Sequence, residues 1–232
     1  MNRRVDETHL TPPLLEMRQV TQTYALSRKS LIGARPTLTV LDKVSFDVRP
    51  GEAVGLVGES GSGKTTLTRI LTGMEKPKQG HVFYNGADIW AGDAERWRNF
   101  RRSVQVVMQS PRSSLDPRMR IGLSLLEPLR SLRIEGDHVA RVHEVLDQVG
   151  MSRQALERYP HEFSGGQLQR IAIARALMPA PKVLIADEPV SALDVSIQAQ
   201  VLNLLKDLIS ELGLSLVFIA HDLSVVAYTT SR

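Results

Sequence analysis

The stretch AVGLVGESGSGKTTLTRILTG, residues 53–73, constrains this chain more than any other. Residues 53–57 form a short apolar run bounded by glycine, the pattern of a strand buried on both faces. Leu67, Ile70 and Leu71 recur at helical spacing ahead of Gly73, a natural C-terminal stop. Between strand and helix, Gly58-Glu59-Ser60-Gly61-Ser62-Gly63 predicts a tight loop whose N–H groups converge on a helix N-terminus. Unpaired donors and the helix dipole both favour a phosphate at such a place. Lys64 then reaches the β- and γ-phosphates as a point charge, and the Thr65 hydroxyl takes a place on Mg²⁺, with Thr66 beside it. Strand, glycine loop and helix in this order make a nucleotide phosphate loop.

Such a loop needs a sheet behind it, and the rest of the chain supplies one. The 232 residues, 42% hydrophobic and 23% charged, suffice for one sizeable domain with a subdomain. Strands are predicted at 14–24, 38–48, 52–57, 80–86, 103–109, 183–186 and 215–219. Helices are predicted at 65–73, 94–102, 123–132, 139–149, 153–158, 166–178 and 197–212. Strands alternating with helices indicate an α/β sheet, and the helix-rich stretch 110–162 reads as a subdomain inserted into it. The loop ALSRKSLIGARPT, 25–37, is rich in Arg, Lys, Gly and Pro and is expected to be exposed.

Composition narrows the setting. The absence of cysteine excludes disulfides and thiolate metal sites within the chain and fits a reducing compartment. No apolar stretch approaches the roughly 18 residues of a transmembrane helix, and the first residues lack a secretory apolar core. The chain is therefore expected to be soluble or peripheral. A net charge of +4 with no long basic run names no partner by itself.

Two further motifs gain meaning beside the phosphate loop. KVLIADEP, 182–189, is an apolar run ending in two carboxylates. Alone, that pair would equally suit the first turn of a helix. At the C-terminal edge of a parallel sheet, where ligands bind, Asp187 is placed to hold Mg²⁺ through water, and Glu188 to accept a proton from, or orient, an attacking water. In FSGGQLQRIAIARAL, 163–177, Ser164 is a natural N-cap, and Gly165-Gly166 would let a partner approach the exposed N–H groups of the following helix. Without the other motifs this would be an ordinary capped amphipathic helix. With them, a second helix N-terminus can clamp a phosphate from another side.

Together these motifs resemble the ATP-binding cassette ATPases over almost the whole chain, with Phe163 where the signature Ser164-Gly165-Gly166-Gln167 is usually preceded by leucine. The resemblance implies a phosphate-loop NTPase core with a mostly parallel sheet and an N-terminal antiparallel β subdomain. It places the core and β subdomain at about 14–109 and 163–232 and an inserted helical subdomain at about 110–162. It implies that Gln109, at the end of SVQVVMQ, lies near Mg²⁺ and the γ-phosphate, joining Thr65 and Asp187 around the metal. It implies that Asp194 closes the SALD element, that His221 is the switch histidine, and that Tyr24 stacks on adenine. ATP and Mg²⁺ are the implied cofactors.

The stretches RSSLDPRMRIG, LLEPL, RYPHEFSGGQ and DEPVSALDVSIQAQVLNLL look like ATPase subunits of oligopeptide, dipeptide and nickel importers, and Pro189-Val190 is similar to the second of their paired ATPases. That implies ATP-driven import of peptides or a related small solute. The partners would be a second ATPase subunit, identical or paralogous, integral membrane permeases and, indirectly, an extracytoplasmic solute-binding protein. No nucleic acid is expected, and the location would be the cytoplasmic membrane face. Relative to that family the chain ends early after His221. A cassette serving a soluble enzyme complex, of carbon–phosphorus lyase type, stays open as an alternative. A DNA-repair ATPase fits less well, since no sustained heptads separate phosphate loop and signature.

Overall fold

Patterning sorts the strands into two sheets, seen in the computed structural model over residues 12–26, 36–59 and 61–230. The strands with partial alternation, β1 (Leu15–Ala25) and β2 (Thr37–Val48), join β4 (Gln79–Tyr84) and β5 (Ala87–Asp88) in an antiparallel sheet ordered β2-β1-β4-β5. The short apolar runs β3 (Ala53–Val57), β6 (Val104–Val107), β7 (Val183–Asp187) and β8 (Ser215–Ala220) form a parallel sheet ordered β3-β8-β7-β6.

Both faces of the parallel sheet are covered, which is why its strands read as continuous apolar runs. Val183, Ile185, Val217 and Ile219 share one core with α1 (Lys64–Leu71), α2 (Ala94–Ser103) and the antiparallel sheet. Leu184, Ala186, Leu216 and Phe218 face the other core, built by α3 (Ile121–Ser131), α4 (His138–Gln148), α5 (Gly165–Leu177), α6 (Val195–Leu212) and α7 (Leu223–Thr229). Side-chain alternation with period two carries this division to the strand ends. Asp187 continues the Val183–Ile185 row and so turns toward α1. In the ladder, Val57 pairs with Ala220, Asp187 with Ile219, and Val107 with Ala186. The C-terminal ends of all four strands thus meet at one edge.

The fold departs from the sequence expectations in four places. Residues 153–158 were expected as helix but form a short 3₁₀ turn at Arg153–Glu157, because Ser152 caps so brief a segment that no second turn develops. The Asn85-Gly86 pair closes a hairpin onto the two-residue β5, too short to register as a strand in its own right. Strand β6 ends at Val107, so Gln109 stands two residues beyond the sheet. Helix α7 was not anticipated. It is announced by Asp222, whose carboxylate accepts from the Ser224 amide at 2.8 Å, and it lies so close over β3 that a Cβ on Gly55 would stand 2.0 Å from Val226 Cγ1. Ser60 and most of the predicted loop, residues 27–35, fall outside the described residues.

Candidate functional site

The shared strand edge is where the predicted residues gather. β3 leaves the sheet at Val57, and the chain turns through Gly58 and Glu59 to the left-handed Gly61 and Gly63 before α1 begins. Gly63, at φ 98°, occupies the N-cap of α1 with no side chain spent on capping, so the first amides of the helix stay open. A Cβ there would stand 3.0 Å from the Val40 carbonyl of β2, so β2 presses on the loop from outside. Gly58 is equally confined, since its Cβ would come within 2.6 Å of Ser62 Oγ. Lys64 folds back into this cradle. Its Nζ donates to the Gly58 carbonyl at 2.7 Å and the Glu59 carbonyl at 2.9 Å, and lies 3.3 Å from Glu188 Oε1. Thr65 is exposed on the same first turn.

Asp187 and Glu188 occupy different environments although adjacent. Asp187 is 6% exposed and accepts a hydrogen bond from Thr68 Oγ1 at 2.9 Å, one helical turn beyond Lys64. Burial pushes its carboxyl above the usual carboxylate range; the neighbouring Glu188 charge adds to that, while the Thr68 bond and the Lys64 charge oppose it. Glu188 has left the strand. Its amide bonds the Ile219 carbonyl at 2.8 Å, and its φ of 47° lies in the left-handed region, an unusual and strained setting for glutamate.

That backbone turn aims the Glu188 carboxylate at residues from three other segments. Gln109 Nε2 donates to Oε2 at 3.0 Å, Lys64 Nζ approaches Oε1, and His221 Nδ1 lies 3.8 Å from Oε2, an ion pair only when the imidazole is protonated. The structure therefore brings together Lys64, Asp187 and Glu188, read from the motifs, with Gln109 and His221, implied by the resemblance. A carboxylate so placed, beside an anion cradle, can take a proton from a water while the lysine faces the phosphate.

The oxygen donors here suit Mg²⁺. A buried carboxylate, a hydroxyl at the head of α1 and a side-chain amide are hard ligands. Among the described residues no cluster of three or more His, Cys, Asp or Glu forms a cage. Mg²⁺ usually takes one or two protein oxygens and completes its shell with phosphates and water.

Three participants escaped sequence reading. Thr68 holds Asp187, and its position four residues after Lys64, on the same helix face, was the available signal. Ser191 accepts from Gln109 Nε2 at 3.3 Å and donates to the Glu188 carbonyl at 3.1 Å. Glu75 accepts from the Tyr24 hydroxyl at 2.7 Å. Tyr24 is half-buried, with its hydroxyl 3.5 Å from Thr66 Oγ1.

The signature segment is organised as a reciprocal cap. Ser164 Oγ accepts from the Gln167 amide at 3.3 Å, and Gln167 Oε1 accepts from the Ser164 amide at 3.1 Å. The two glycines divide their work. Gly165 is exposed, but Gly166 is buried, and a Cβ on it would meet Ile197 Cγ2 at 2.5 Å. Gly166 thus also makes room for α6 of the same chain.

Thr68→Val tests the coupling of α1 to Asp187. Without the donor the buried carboxyl rises further. A carboxyl with a folded-state pKa above its unfolded value loses stability as pH climbs from the unfolded value towards the folded one. The variant is thus expected to be less stable than the parent by about 1–3 kcal/mol at neutral pH. The gap should narrow as pH falls below the ordinary carboxylate range, in denaturant titrations at the two pH values.

A phosphate cradle at the end of β3, a buried carboxylate at the end of β7 two strands away and an apolar buried strand, β8, between them define a phosphate-loop nucleotide-binding α/β protein. Comparison with known proteins carries this further. The ABC transporter family model matches residues 41–191. The chain is 46% identical over 227 residues to the oligopeptide transport ATP-binding protein OppF of Haemophilus influenzae, covering 94% of this chain and 68% of that protein. It is 50% identical over 199 residues to OppF of Salmonella typhimurium, covering 84% of this chain and 60% of that one. Among solved structures, the ATP-binding cassette MJ0796, a dimer bound to ADP and Pi in a post-hydrolysis state, superposes with a TM-score of 0.79 at 29% identity. It covers 93% of this chain and 91% of its own. The chain belongs to the ABC transporter family, and it is an ATPase of that family.

Proposed function

We propose that this chain hydrolyses ATP to drive import of peptides, or of a closely related small solute, through a separate membrane permease. The observation that carries the reading is the convergence of Lys64, Gln109 and His221 on the Glu188 carboxylate beside buried Asp187. Lys64 and the amides at the head of α1 bind the β- and γ-phosphates. Glu59, Ser60, Gly61, Ser62 and Thr66 complete the contacts of the loop. Thr65, Gln109 and Asp187 hold Mg²⁺, which when bound neutralises charge on the phosphate oxygens. Glu188 receives the proton of the attacking water, Gln109 and His221 orient it, and Tyr24 stacks on the adenine.

Ser164, Gly165, Gly166, Gln167 and Asp194 act across a head-to-tail pair, on the nucleotide of a second cassette. Asp194 supports this. It holds the N-cap position of α6 yet accepts no capping bond, whereas Asp93, Asp137 and Asp222 all do at their own helices. Its carboxylate is exposed, next to Val195 at 82% exposure. The helical segment 110–162, including α3 and α4, is the subdomain on which the permease docks. Among the described residues no helix is long and apolar enough to cross a membrane; the chain works from the cytoplasmic face through such a partner.

Co-purification tests this. Captured from detergent-solubilised membranes through a tag, the chain is expected to bring down a pair of integral membrane proteins, with ATPase activity that depends on them. Recovery of a soluble enzyme complex or of nucleic acid instead would redirect the function to one of the alternative cassette roles.

A further inference from the structure

We infer that Glu75 is a positioning residue for the nucleotide base: it locks the Tyr24 ring in the orientation from which a purine is stacked. The inference rests on the stacking role proposed for Tyr24 and extends it to a residue outside every cassette motif in the sequence.

The geometry is a two-ended clamp. Glu75 lies four residues past the end of α1, and the Met74 and Glu75 amides both bond the Arg69 carbonyl, at 2.8 and 3.1 Å, so the main chain that carries the carboxylate is fixed to the helix end. One oxygen, Oε1, accepts from two donors of β1 at once: the Tyr24 hydroxyl at 2.7 Å and Gln22 Nε2. Gln22 is buried, and its own Oε1 accepts from the Lys78 amide at 2.9 Å, so both ends of that amide are tied to the 75–78 segment. Gln22 and Tyr24 share a strand face because β1 shifts register between Met17 and Val20, which moves the inward row from odd to even positions. On its other side the Tyr24 hydroxyl meets Thr66 Oγ1 at 3.5 Å, on the first turn of the phosphate helix.

The chemistry explains the residue types. A tyrosine free to turn about two side-chain torsions must give up that freedom to stack on a base, and holding it beforehand removes the cost. A carboxylate is the strongest neutral-phenol acceptor among side chains, since the bond is charge-assisted. A phenylalanine in place of Tyr24 would keep the stacking face and lose the anchor. The clamp also ties ring position to the phosphate helix, so base and phosphates are read by one rigid unit.

Calorimetric titration of the purified chain with Mg²⁺-ATP and, separately, with Mg²⁺-tripolyphosphate tests this. Glu75→Ala and Tyr24→Phe are each expected to weaken ATP by about 3- to 10-fold, and tripolyphosphate by less than about twofold. The double variant should bind no more weakly than either single one, because both remove the same interaction. Glu75→Gln, which keeps an acceptor oxygen, should recover most of the affinity, and in steady state the loss should fall in KM rather than kcat. Parent-like ATP binding by Glu75→Ala overturns the inference, as does an equal loss for ATP and tripolyphosphate, which would make Glu75 a support of the helix end alone. Tyr24→Ala separates the two layers. If it too binds ATP like the parent, the stacking role itself falls; if it weakens ATP while Glu75→Ala does not, only the role of Glu75 falls.

Discussion

Glu188→Gln is expected to slow ATP turnover by at least ~10²-fold while ATP still binds. The substitution keeps size, and a glutamine oxygen can still accept from Gln109 Nε2, which donates to Glu188 at 3.0 Å. The left-handed backbone at this position is a property of the turn after β7 and does not depend on the side-chain charge. What disappears is the acceptor for the proton of water. General-base assistance is typically worth ~10²–10⁴ in rate. The ground state needs no such base, and removing a negative charge beside the phosphates does not weaken their binding. ATP-bound chains should then accumulate as a closed pair, larger on gel filtration with Mg²⁺-ATP than without it. Turnover close to that of the parent would mean that Glu188 serves only the fold.

Lys64→Ala is expected to cost about 10²-fold or more in ATP affinity, read by titration with Mg²⁺-ATP, because hydrogen bonds to a charged group contribute ~1.5–3 kcal/mol each and this lysine can make several. Its Nζ already sits among the Gly58 carbonyl, the Glu59 carbonyl and Glu188, so a phosphate entering the cradle meets a donor held in place. With alanine there, the Glu188 carboxylate faces the phosphates with its nearest cation gone. Stability should change much less, since the carbonyls released lie at the rim of the loop and can bond water. Equal ATP affinity in variant and parent would remove Lys64 from the site.

How much of this was legible in the sequence follows from the range of each interaction. The phosphate loop was legible because its chemistry is local: strand, left-handed glycines, lysine and helix are consecutive. Asp187-Glu188 and Ser164-Gln167 were legible for the same reason, as a strand end and a helix cap. Patterning marked the strands and the α/β class, with continuous apolar runs for the doubly covered strands, whereas the separate antiparallel sheet was implied only by the family resemblance. Gly166 shows the limit. Its packing is set by Ile197, 31 positions away, and no local pattern distinguishes it from exposed Gly165.

What the sequence by itself determined is thus the set of local devices and the fold class that must present them. Tertiary structure alone decided which devices meet. It set strand order so that β8 lies between β3 and β7, which carries His221 to Glu188. It turned Asp187 towards Thr68 through strand parity, and brought Glu75 to Tyr24 across 51 residues of chain. The physical reason is that hydrogen bonds and ion pairs act over a few ångströms. Pairings between distant segments therefore exist only once burial of two apolar cores has fixed the sheets and helices against one another.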